Sequence, residues 1–98
     1  MDANTACAAI KEGKCLELRY DGFSRRVEVH SVGYTRTGNL CMRVWQVSGG
    51  SVSGERTGWK LLRVDEVVSA KVSDEQSEAP RRGYSRSDSA MQRIVCEL

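Results

Sequence analysis

A chain of 98 residues has room for one domain with one modest core, and 29% charged against 40% hydrophobic residues is the balance of a folded protein, which excludes wholesale disorder. The formal net charge of +2 is too small to mark a nucleic-acid binder by itself, and no apolar run approaches the roughly 18–20 residues that a membrane-crossing helix needs. The opening Met1-Asp2-Ala3-Asn4-Thr5 has no basic stretch leading into an apolar one, so no secretory signal is read and the cytoplasm is the expected location.

Thr5 to Glu12 is predicted as a short helix, capped by Asn4 or Thr5 and closed by Gly13. Its apolar face, Ala6, Ala9 and Ile10, is too small to do more than lie on something larger. From Cys15 the period changes to two: Leu16, Leu18 and Tyr20 fall on one side, Glu17 and Arg19 on the other. Asp21-Gly22 is a strong hairpin signal. A second strand follows from Arg25 to about Tyr34, with Val27 and Val29 alternating with Arg26, Glu28 and His30. After Thr37-Gly38-Asn39 comes a third strand, Leu40 to Val47, and then a flexible Gly/Ser loop from Ser48 to Gly54. Trp59 to Val64 and Val67 to Val72 complete five strands, with the polar step Asp65-Glu66 between them. Short connections imply an antiparallel meander, and so small a sheet hides its edges by curling. The fold class is therefore mainly β with a short N-terminal α-helix, a small SH3-like or Sm-like antiparallel barrel spanning residues 1–73.

Residues 74–98 form a C-terminal extension. Asp74 to Ser89, with the only proline, is expected as loop or tail. Met91 to Leu98 regains strand-like or short helical character and is expected to dock on its own barrel or on a partner chain. Between Pro80 and Arg93, four arginines face one acid, Asp88, against an upstream acidic stretch of Asp65, Glu66, Asp74, Glu75 and Glu78, and the two can screen each other. Cys7, Cys15, Cys41 and Cys96 contain no C-x-x-C pair and are joined by one histidine only, so no metal site is expected and all four are read as reduced, mostly buried thiols.

The order of features resembles the WYL domain, a bacterial and phage ligand-sensing module with an SH3-like barrel. The likeness spans roughly Ala6 to Val72: Arg26-Val27-Glu28-Val29-His30 on one strand, Gly38 before an apolar strand, and Trp59-Lys60-Leu61-Leu62-Arg63-Val64 at the end. Leu40-Cys41-Met42 departs from the family at its eponymous Trp-Tyr-Leu, and Leu62 replaces an aspartate. The resemblance implies transcription regulation through an anionic effector, a nucleotide or nucleic-acid-like ligand, although the helix-turn-helix that usually accompanies the family is not in this chain.

Independently of any family, Arg26, Arg43, Lys60 and Arg63 are the candidate ligand-binding cations. If they leave the sheet on one side, they converge as phosphate recognition requires; otherwise each lies on a solvated face beside Glu17, Glu28 or Asp65. Tyr34 and Trp45 are candidate stacking surfaces. Trp59 reads as core. Trp45 lies on a strand apolar on both faces, which the helix, the C-terminal segment or another subunit must cover. No catalytic constellation surrounds His30 or the cysteines, and the Gly49-Gly50 loop lacks the lysine of a phosphate-binding P-loop, so no enzyme and no cofactor is expected. The reading is a stand-alone WYL-like module that binds a nucleotide or a single nucleic-acid strand. Its alternative is a protein–protein adaptor or oligomerisation module, built on the Trp45 face and Met91 to Leu98, that works with a regulatory partner or a second copy.

Overall fold

The computed structural model describes residues 1–98. Helix α1, Ala3–Glu12, starts before the expected Thr5 because Asp2, not Asn4 or Thr5, is the N-cap: its carboxylate accepts the Thr5 N–H at 3.1 Å. Gly13 ends the helix in the left-handed region at φ 65°, where its N–H meets the Ala9 and Ile10 carbonyls. Ala6 and Ala9 are fully buried, and their small side chains let the helix lie close on the sheet.

The strands are β1 (Lys14–Tyr20), β2 (Phe23–Tyr34), β3 (Leu40–Gly49), β4 (Gly58–Arg63), β5 (Ser69–Gln76) and β6 (Arg93–Glu97). Asp21 and Gly22, both at positive φ, form the two-residue turn that pairs Tyr20 with Phe23. The order is β4-β3-β2-β1-β5, antiparallel throughout. No ladder joins β4 to β5, so the curled sheet stays open there. One 3-10 turn, Val64–Glu66, bridges the gap, and buried Val64 and Val67 fill it. Sequence alone marks the sixth strand only as strand-like or short helical; β6 pairs the second half of β2, beside the half that pairs β1.

Leu16, Leu18, Val27, Val29, Val32, Met42, Val44 and Leu62 form the core with the helix alanines. Burying each such side chain contributes on the order of 1.5–3 kcal/mol. The jump from Val29 to Val32 marks a β-bulge: Val29 pairs Val44 and Ser31 pairs Arg43, so His30 is the extra residue. The bulge turns His30 and Ser31 to the outer face of the sheet.

That outer face is half covered. Residues 77–92 cross it from the end of β5 to the start of β6. Buried Glu28 is their anchor, accepting the Glu78 N–H at 2.7 Å and the Arg81 guanidinium at 2.6 and 3.2 Å. The Arg81 guanidinium also lies 5.5 Å from the Trp45 ring centre, so the second apolar face of β3 is covered by this chain's own segment.

The expectation of four reduced thiols is corrected. Cys7 of α1 and Cys96 of β6 form a disulfide with Cα atoms 6.1 Å apart, because β6 comes to rest against the helix. Cys15 and Cys41 are free and buried, and burial pushes both thiols above their ordinary pKa, which holds them protonated and unreactive. No helix is long and apolar enough to cross a membrane.

Candidate anion-binding groove

The β1–β2 hairpin end of the outer face is left uncovered, and its chemistry follows from strand alternation. Outward positions of four neighbouring strands fall into two rows. Lys71, Glu17, Arg26 and Ser48 form the first, across β5, β1, β2 and β3; Ser69, Arg19 and Ser24 form the second. Together they line a groove of about 580 Å³. Three cations stand there against the single carboxylate of Glu17, and the serines keep the walls low.

Only one close ion pair spans these rows. The Arg26 Nη2 donates to Glu17 Oε1 at 3.2 Å, with both side chains more than a third exposed, so solvent screening leaves the pair worth little. The Nε–H of Arg26 is buried and has no partner. Arg19 donates to the Ser24 hydroxyl at 3.3 Å, and Lys71 is exposed with no acidic partner within ion-pair distance. These cations are therefore largely uncommitted, which is what an incoming anion needs.

Arg25, one residue before Arg26, faces the other way. It is 5% exposed, its guanidinium donates to the Tyr20 carbonyl at 3.1 Å and to Gln46 Oε1 at 3.3 Å, and it lies over the Tyr20 and Phe23 rings. Its charge is held beneath the groove floor with no carboxylate partner. Because a buried charge is poorly screened, it reinforces the positive potential above it.

The six residues singled out from sequence do not come together. Arg26 lies in the groove. Arg43 lies farther along the same face beneath the C-terminal segment, held by Asp88 at 2.7 and 3.2 Å. This contact, with backbone help from Ala90, holds the Asp88 carboxyl below its ordinary pKa. Arg63 is committed to Asp65 at 2.7 Å with Glu66 beside it, and Lys60 reaches the hydroxyls of Ser51 and Ser53 in the β3–β4 loop. Tyr34, at the far end of β2, carries the Arg93 guanidinium 4.5 Å from its ring centre. Trp45 meets Trp59 edge-to-face at 5.3 Å under Arg81. Arg19, Arg25 and Lys71 are not among the candidate site residues that the sequence singles out. Arg19 was visible on the polar side of its strand, but its proximity to Lys71 depends on the β1–β5 register.

His30 is fully buried with both nitrogens engaged: Nδ1–H donates to the Glu28 carbonyl at 2.9 Å, and Nε2 accepts the Arg81 N–H at 2.9 Å. These partners fix the neutral tautomer, and burial lowers the pKa. The imidazole is a structural strut with no free lone pair for catalysis. No protein-family model, no curated protein and no solved structure matches the chain.

Proposed function

We propose that this domain is a non-enzymatic binding module for an anionic, phosphate-bearing ligand, a nucleotide or a single nucleic-acid strand, seated in the groove of Arg19, Arg26 and Lys71. The observation that carries the reading is the gathering of three weakly committed cations and three serines on adjacent strands. Guanidinium forks and serine hydroxyls are the groups that hold phosphate oxygens. The WYL-like resemblance of the sequence stays part of this proposal and brings an effector-sensing role with it. The adaptor alternative relies on the Trp45 face and on Met91 to Leu98; Arg81 lies over the Trp45 ring and β6 is docked on β2, although Val95 stays exposed. A Cys7–Cys96 bridge persists where thiols are oxidised, so the proposed setting is an oxidising compartment in preference to the cytoplasm.

The test is fluorescence anisotropy with a labelled single-stranded oligonucleotide across a salt series. Three phosphate contacts give a log–log salt slope of about −2 for a single strand. Lys71→Glu and Arg19→Glu, both on exposed residues, are expected to weaken binding at least tenfold and to flatten the slope while leaving the unfolding midpoint in place. No binding at low salt, or binding indifferent to both reversals, overturns the proposal.

A further inference from the structure

A second hollow, of about 410 Å³, lies between β3, β4 and the C-terminal segment, on the far side of the Glu28–Arg81 anchor from the groove. Its size falls within the range of small-molecule sites. Trp59 forms one wall and Tyr84 another, and both rings rest against buried His30, at 4.7 and 5.1 Å between centres. Two aromatic walls braced from behind by one imidazole are pre-set, so a planar guest meets surfaces that need no ordering.

The polar groups of this hollow are unequal. The Asp88 carboxylate is already used, Oδ2 by Arg43 Nε and Oδ1 by Arg43 Nη2 and the Ala90 N–H. The donors are not: Arg43 Nη1, the Trp59 indole Nε1–H and the hydroxyls of Ser85 and Ser89 have no acceptor within the protein. Arg43 and Asp88 cancel in charge, so the hollow offers hydrogen-bond donors without a net positive field. Gly83, at φ 94°, passes the indole edge, and a Cβ there would lie 3.3 Å from Trp59 Nε1. Glycine thus keeps the indole N–H accessible.

We infer that this hollow is a binding site for an uncharged planar heterocycle bearing carbonyl acceptors, a pyrimidine-dione ring being the type that fits. The ring stacks against the Tyr84 wall, and its carbonyls accept from Arg43 Nη1, the indole N–H and the Ser85 and Ser89 hydroxyls. The inference stands on a different cavity from the phosphate groove and does not require it.

The experiment follows the Trp59 indole Nε1–H resonance by NMR in the intact protein during titration with uridine, with benzyl alcohol as a planar probe lacking carbonyls. Uridine is expected to shift that resonance saturably, and benzyl alcohol is not. Trp59→Phe keeps a ring but removes the N–H and is expected to weaken uridine binding roughly three- to tenfold, followed on the Ser85 and Ser89 amides. Should Trp59→Phe fail to fold, the Ser85→Ala/Ser89→Ala variant is expected to weaken binding to a similar extent. Lys71→Glu, which disables the groove, leaves uridine binding unchanged, so the two readings fail separately. No shift up to about 20 mM uridine, a range that covers very weak complexes, or an equal response to benzyl alcohol, overturns the inference.

Discussion

Reducing the Cys7–Cys96 bridge is the perturbation with the largest expected effect on this domain. The two cysteines are 89 residues apart in sequence, so the bridge closes nearly the whole chain into a loop. Closing a loop of that length removes unfolded-state entropy worth about 4–5 kcal/mol in the chain-entropy treatment. A domain of this size has about 5–15 kcal/mol in total, so the bridge is a large share of its stability. With an unfolding entropy of roughly 2.1 cal/mol/K per residue, the loss corresponds to a drop in Tm of about 20 °C. The assay is thermal and urea unfolding with and without reductant, alongside a Cys7→Ala/Cys96→Ala variant. The variant should match the reduced protein and ignore the reductant. Alkylation of the unfolded, unreduced chain should label only Cys15 and Cys41. Four labelled cysteines, or a reduction penalty below about 1 kcal/mol, refutes the reasoning.

Three further outcomes follow from the covered face and its bulge. Arg81→Ala strands the carboxylate of Glu28, which is 1% exposed. The Glu78 N–H remains as a partner, so the expected cost is about 3 kcal/mol, the lower end for breaking a buried pair, with faster proteolysis within residues 77–90; a urea-derived loss under about 1 kcal/mol contradicts the anchoring role. Because burial holds His30 below its usual 6.5, the unfolded chain takes up the proton first as pH falls. Its contribution is complete above that value and drains away beneath it, so urea midpoints should fall from pH 7.5 to 5.5 in the wild type and stay nearly level in His30→Gln. Asp88, also lowered, acts only beneath its usual 3.8 and leaves that window alone. Gly33→Ala puts a Cβ 2.5 Å from the Arg93 carbonyl oxygen and 2.9 Å from Met91 Sδ, so β6 must shift. A cost of about 1–3 kcal/mol is expected, with early amide exchange in Arg93–Glu97, and unchanged exchange there would show that β6 absorbs the methyl freely.

The strands were legible wherever side-chain alternation was regular. Leu16, Leu18 and Tyr20, then Asp21-Gly22, give β1 and its hairpin directly. Alternation fails at His30, because a bulge is one added residue with no signature in the local pattern, and it sends Val32 inward where strict period two assigns the opposite face. The fate of Trp45 was half legible: its strand is apolar on both sides, so a cover was required, but Glu28, the residue that secures the cover, reads on sequence as an ordinary outward acid. The groove was hidden for a different reason. Arg19 and Lys71 become neighbours only through the register in which Arg19 pairs Ser69 and Glu17 pairs Lys71, and pairing over such a separation is a tertiary outcome. The same holds for Cys7 and Cys96, whose meeting depends on β6 adding to β2 beside the helix.

That meeting point has a mechanical meaning. With α1 and β6 welded together at one spot, tension entering through one end of the chain and leaving through the other passes across a covalent bond and bypasses the hydrogen-bonded ladders between them. If the domain is tethered at both ends, it therefore bears load as a closed link, and a reductant acts as its release.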